Sequence, residues 1–456
     1  MSARSQPRNE NFLPHPCDYA MLRGNIVEGG SMATKVREVA YVGLEAVSEY
    51  CCGLDVHKKR ITACLLVGPV DQPPKELLSA FTTTTKGLTA PRDWLASYDC
   101  THVAMESTGI FWRPVFNILE GSVTILLANA RHMKQLPGRK TDINDSQWIA
   151  RLLRWGLLKP SLIPLKPIRE LREMCRYRKK LTQEVGAEKN RVHKTLEDAN
   201  IKIASVATEI FGVSGLAMMD ALIAGNLSPQ ETAELARGRM RSKIPELAEA
   251  LVGKIEEHHR LLLRKHLDHL SYLQQAIAEM NRLIEKKMQP YQSQVDLLRT
   301  IPGIDTLAAQ QTFVEMGGDI TVFPSEGHFA SWIGICPGNN ESGGKQRKAK
   351  ALKGNRWLCS LLVQSAHSVG RTKGTYAGAF YHRIARRRGN KRAAVATGHY
   401  LAKCIYHILQ DGKPYQDLGA NHFNRRGNDA LKKQLLSRLE RLGYQVELTP
   451  QLATVN

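Results

Sequence analysis

The sequence predicts an α/β unit followed by a mainly helical remainder, and three observations carry that prediction. Short β-rich runs alternate with helix-period segments from about residue 48 to residue 160. At Pro167 the texture changes to long polar and apolar helix with no strand-like runs. Beyond Leu297, Pro and Gly punctuate further helix patterns. The expected organisation is a flexible extension over 1–47, an α/β domain over 48–160, a coiled-coil helical region over 161–296, a third, mainly helical domain over 297–415 and a peripheral tail over 416–456.

The first ordered runs are Cys51 to Val56 and Ile61 to Val67, joined by the polar turn His57-Lys58-Lys59-Arg60 at hairpin spacing. A third strand is expected at Ala80 to Thr85, a helix at Leu88 to Ser97, a strand at His102 to Glu106, a helix at Trp112 to Leu119 and a strand at Val123 to Leu127. In the helical region Leu263, Leu270, Ile277 and Ile284 recur every seventh residue, the seam of a coiled coil or long hairpin, with Gln274 and Asn281 at intervening polar positions. That heptad suggests a homo-oligomer, a dimer or tetramer.

Composition bounds the partners. Lys and Arg total 64 against 43 Asp and Glu, a formal charge of +21, which favours a polyanion. No apolar run reaches the ~18 residues of a membrane span, and the first forty residues lack a signal-peptide stretch, so a cytoplasmic protein is expected. Nine cysteines without a C-x-x-C pair read as reduced, mostly buried thiols.

Asp55 and Glu106 each end an apolar strand, so both carboxylates reach one rim if the strands are neighbours. In Thr141-Asp142-Ile143-Asn144-Asp145 the two aspartates are three apart on one helical face, with Thr141 as a possible cap. Taken singly, helix capping or surface exposure accounts for each of them equally well. Together, four carboxylates can hold two divalent ions about 4 Å apart, which stabilise the attacking and leaving oxygens of a phosphodiester displacement. Hard oxygen ligands and the lack of a Cys or His set favour Mg²⁺ over zinc.

Gly53-Leu54-Asp55-Val56-His57-Lys58-Lys59, Met105-Glu106-Ser107-Thr108-Gly109 and Leu136 to Asp145 resemble the three blocks of the DEDD transposases of insertion sequences, a family that includes RNA-guided bridge recombinases. The resemblance covers about residues 48 to 415 and continues through Ile301-Pro302-Gly303-Ile304 and Phe329 to Asn355. It implies an RNase H-like, RuvC-like N-terminal domain, with the catalytic and metal-binding tetrad on Asp55, Glu106, Asp142 and Asp145, and a C-terminal Tnp domain. The Gly- and Asn-rich stretch Cys336 to Gly344 reads by itself as an ordinary loop, because no His stands near Ser342 as a base. The family instead implies that Ser342 is a nucleophile in a composite site with the metal carboxylates. It implies DNA as donor and target, and a non-coding guide RNA.

Between Gly343 and Val395, 14 basic residues meet no Asp or Glu. The expected nucleic-acid contacts among them are Lys345, Arg347, Lys348, Lys350, Lys353, Arg356, Arg386, Arg387, Arg388, Lys391 and Arg392, since an uncompensated run of this length is relieved by phosphates. The stretch has few Asn or Gln for base-edge reading, which suits backbone contact. The rival enzymatic reading is a RuvC-like, metal-dependent, structure-specific nuclease using water. A non-catalytic relic would explain the basic surface alone, and a membrane-surface protein would leave the carboxylate blocks without purpose.

Overall fold

The computed structural model describes residues 46–107, 109–133, 136, 145–337, 341–342, 345–346 and 353–447. The expected extension over 1–47 lies almost wholly outside the described residues, as do Asp142, Arg347, Lys348 and Lys350. The chain divides into two compact units, Met1–Ser161 and Leu162–Asn456. Among the described residues no helix is long and apolar enough to cross a membrane.

The first unit is a mixed sheet with helices. β1 (Tyr50–Val56), β2 (Arg60–Val67) and β3 (Lys75–Thr82) form an antiparallel meander. After α1 (Thr85–Ala96), β4 (His102–Glu106) adds to the free side of β1 in parallel; after α2 (Trp112–Leu119), β5 (Thr124–Ala128) adds to β4 in parallel. The order is therefore β3-β2-β1-β4-β5. The third strand lies earlier than the expected Ala80 to Thr85. Thr84 leaves the ladder because its hydroxyl accepts from the Gly87 N–H, capping α1. The short α3 (Ala130–Met133) precedes α4 (Asp145–Arg154), which buries Trp148, Ile149, Leu152 and Leu153 against Cys51, Cys64, Leu66 and Ala104 of the sheet.

The second unit is almost wholly helical. α5 (Lys166–Asp198) and α10 (Glu257–Met288) are long, and between them lie the short α6 (Ile203–Val206), α7 (Val213–Ala224), α8 (Pro229–Ala233) and α9 (Ile244–Ala250). Then come α11 (Gln292–Arg299), α12 (Thr306–Met316), α13 (Glu326–Ile333), the hairpin strands β6 (Glu341–Ser342) and β7 (Lys345–Gln346), α14 (Arg356–Val369), α15 (Tyr376–Arg388), α16 (Asn390–Asp411) and α17 (His422–Arg441). α5 and α10 pack side by side and antiparallel, since Glu188 accepts from His266 while Arg178 reaches Asn281 and Lys287 reaches Glu170.

The heptad seam is thus filled within one chain. Leu263, Leu270 and Ile284 are buried, Ile277 is half-buried, and Asn281 accepts from Arg178, whereas Gln274 is exposed. One end of the hairpin joins the core of α11 to α16 through Ile168, Leu171, Ile284 and Met288; the other joins a separate cluster with α6 to α9 through Val192, Leu196 and Leu263. The heptad accordingly supplies no argument for a second copy, because most of its apolar face is covered by α5 and the cores at either end.

Candidate metal centre and nucleic-acid interface

Period two along a strand decides which side chains share a face. Cys51 and Ala104 pack against α4, so Gly53 and Asp55 on β1 and Glu106 on β4 face the same side. The parallel register pairs Leu54 with Met105, one step before the two carboxylates. α4 then brings Asp145, its first residue, to that face.

Three features fix α4 there. At Gly53 an added Cβ would stand 2.2 Å from Ser146 O and 2.4 Å from Ala150 N, so only glycine lets helix and strand backbones approach this closely. Across the sheet, Glu76 of β3 accepts from Gln147 at 2.8 Å and from Arg151 at 2.8 and 3.1 Å. At the far end Arg154, only 3% exposed, donates to the carbonyls of Ser48, Glu49, Gly68, Pro69 and Gln72 and ties the helix to the strand ends.

The carboxylates sense one another. Partial burial pushes the Asp55 carboxyl above its ordinary value; the adjacent His57 pulls it back, and the charges of Asp145 and Glu106 push in the same direction as burial. His57 Nε2 lies 3.0 Å from Asp55 Oδ2. Sequence reasoning gave His57 no role, yet its i, i+2 spacing from Asp55 was the available signal. The three placed carboxylates are hard-oxygen donors of the kind a divalent cation takes, and such an ion would relieve their mutual repulsion. Ser146, next to Asp145, is fully buried with no hydrogen-bond partner for its hydroxyl among the described residues.

A second ligand-like trio was not foreseen. Asp198, His258 and His259 have ligand atoms within 4.8 Å of one another, and the carboxylates of β1, β4 and α4 are not drawn into such a trio. His259 is already committed: its Nδ1 accepts from the Glu256 N–H, capping α10, so its Nε2–H donates to Asp198 at 3.0 Å. The thiols of the described residues are free; burial pushes Cys51 and Cys64 each up to about 12, which keeps them protonated.

In the second unit, Ser342 pairs with Lys345 across the β6–β7 ladder, a short strand in place of the expected open loop. Where this segment rejoins the helices, a Cβ on Gly354 would stand 2.4 Å from Gly334 N, and Asn355 caps α14 through the N–H groups of Trp357 and Leu358. Lys353, Arg356, Arg386, Arg387, Arg388, Lys391 and Arg392 are all exposed, the last five around the turn at Gly389 between α15 and α16.

Two family models match: one described as a DEDD transposase over residues 52–201, and one described as a transposase of the IS116/IS110/IS902 family over residues 295–382. Together they cover just over half of the chain. A "Probable family 20 transposase" of Pseudomonas aeruginosa is 24% identical over 70% of this chain and 86% of its own length. A "Putative transposase y4pF/y4sB" of Sinorhizobium fredii is 26% identical over 45% of this chain and 51% of its own length. The molecule is a DNA transposase, an enzyme of insertion sequences that binds DNA. The chain belongs to the IS110 family of DEDD transposases. The DEDD class implies an RNase H-like N-terminal fold and use of a divalent metal.

Proposed function

We propose that the protein cuts and rejoins DNA for the mobility of its insertion sequence, with Asp55, Glu106, Asp142 and Asp145 holding Mg²⁺ as two ions and Ser342 as the nucleophile. The observation that carries this reading is that Asp55 and Glu106 end neighbouring parallel strands beside the start of α4, in a β3-β2-β1-β4-β5 sheet whose order supports the RNase H-like, RuvC-like reading. A divalent ion held there would supply Lewis-acid stabilisation of charge on the phosphate oxygens. His57, whose Nε2 lies 3.0 Å from Asp55 Oδ2, would orient that carboxylate.

Ser342 Oγ attacks phosphorus, the bond from phosphorus to the 3′ oxygen breaks, and the serine proton ends on the released 3′ hydroxyl. The phosphoserine linkage conserves the bond energy for rejoining, when a 3′ hydroxyl reverses the step. Lys345, Arg347, Lys348, Lys350 and Lys353 flank the serine in sequence, and they and the exposed cluster around Gly389 neutralise nucleic-acid phosphates. Recognition of most of the sequence falls to a guide RNA by base pairing, since backbone contacts carry no sequence information. Two duplexes cut and exchanged in one complex call for more than one copy of the chain. The segments 48–160, 161–296 and 297–415 are then the RuvC-like, coiled-coil and Tnp domains.

The test is to trap the reaction on a nicked substrate with Mg²⁺, digest it and search for a nucleotide adduct by mass spectrometry. An adduct on Ser342, lost in Asp55→Ala and Ser342→Ala while binding persists, is the expected result. Efficient cleavage by Ser342→Ala with no adduct would replace this reading with a metal-dependent nuclease using water.

A further inference from the structure

Within the second unit a cavity of about 680 Å³ opens between α5, α10, the Pro302–Gly303 turn with the start of α12, and α14. Its size falls within the ~300–1,000 Å³ of small-ligand pockets. Its wall carries a buried charge. Arg178 of α5 is 5% exposed, and among the described residues its guanidinium donates to neutral acceptors: Asn281 Oδ1 at 3.2 Å, Gln310 Oε1 at 2.9 Å and the Leu307 carbonyl at 3.5 Å. Asp305 is the acid in the wall; its Oδ1 is engaged by the Ala308 N–H as the cap of α12, and its charge offsets part of that on Arg178 from a distance. A guanidinium does not give up its proton, so burial leaves a positive charge whose lost hydration these neutral acceptors replace only in part.

The rest of the lining adds to that charge. Lys180 and Arg356 are exposed at the cavity, and Lys179 reaches across it to Gln364 at 2.8 Å. Trp357, half-buried, has the guanidinium groups of Arg176 and Arg356 at 5.4 and 5.5 Å from its ring centroid. Cations, amide and hydroxyl groups and one indole in a single cavity suit a nucleotide: a phosphate for the cations and a flat base for the ring.

We propose that this cavity receives one unstacked nucleotide of a bound single-stranded nucleic acid, its phosphate answered by Arg178, Lys180 and Arg356 and its base laid against Trp357. The inference rests on the nucleic-acid-binding reading above and adds a defined subsite to it. The sequence hid it, because Arg178 and Lys180 belong to a mixed-charge helix far from the uncompensated basic run.

The test uses the full chain with single-stranded RNA and the matching single-stranded DNA, each carrying 5-iodouracil, and a duplex as reference. Photocrosslinking followed by peptide mapping should yield an adduct on Trp357. Lys180→Ala and Arg356→Ala should each reduce the slope of log affinity against log salt by about 0.7 for single strands. Trp357→Leu should weaken single-strand binding by roughly fivefold to a hundredfold, with Trp357→Phe restoring most of it. Lys180 and Arg356 are exposed, so their variants keep the test decisive even if Arg178→Gln does not fold. A stronger response from the RNA probe assigns the subsite to RNA, and an equal or stronger one from the DNA probe assigns it to DNA. Intact binding with no Trp357 adduct and unchanged slopes overturns the subsite alone. A chain that binds none of the three probes loses both readings.

Discussion

Substituting Gly53 by alanine tests how the carboxylates are brought together. The new methyl carbon would stand 2.2 Å from Ser146 O and 2.4 Å from Ala150 N, whereas an ordinary contact is 3.4–4 Å. Both obstructing atoms are backbone, so no side-chain rotation relieves the clash; α4 must shift by roughly 1 Å away from β1. Gln147 and Arg151 on Glu76, and Arg154 on its carbonyls, resist that shift. Overpacking of this kind costs about 1–3 kcal/mol, a fall in Tm of roughly 2–12 °C for a unit of this size. Because Asp145 rides on α4, a ~1 Å displacement should also reduce strand cleavage by on the order of a hundredfold. Thermal unfolding, Mn²⁺ titration by calorimetry and a cleavage assay measure the three effects. Gly186→Ala is the control: nothing lies within 4 Å of that Cβ in mid-helix, so it should stabilise by about 0.5–1 kcal/mol. Unchanged Tm and metal affinity in Gly53→Ala would refute the close-approach argument, and lost stability with full cleavage would refute the link to Asp145.

Two further outcomes follow from the charges. The folded-state pKa of Asp55 is raised, so the stability gained from its protonated form is complete below its ordinary value near 3.8 and is lost as pH rises through the folded value. Metal-free Asp55→Asn should therefore unfold at a higher temperature than the parent at pH 7, by a margin that shrinks toward pH 4, while Mg²⁺ stabilises the parent and not the variant. An equal Mg²⁺ response in both proteins would remove Asp55 from the ligand set. Glu315 is fully buried and accepts from Arg176 at 2.7 Å through both oxygens, from Gln311 at 2.9 Å and from Asn355 at 2.9 Å. Glu315→Ala strands Arg176 and releases the Asn355 cap of α14, and urea unfolding should register a loss of about 3–5 kcal/mol; a loss under ~1 kcal/mol would contradict that account.

The sequence by itself determined the elements whose signal is local. Strand His102–Glu106 and helix Trp112–Leu119 fall where period and composition put them, and the carboxylate blocks announced the family, because strand ends and helix starts are written in neighbouring residues. The third strand was misplaced because the β-branched run of Thr82 to Thr85 is as good a cap as it is a strand, and the choice lay with Gly87. The heptad of α10 announced an apolar seam but not its occupant. Period records that a face must be covered, and only the folded chain decides that α5 covers it rather than a second copy. The same limit hid the Asp198, His258 and His259 trio and the Arg178 cavity. Arg178 and Gln310 are far apart in the chain and meet only because two helices pack, so their chemistry is a property of the tertiary structure.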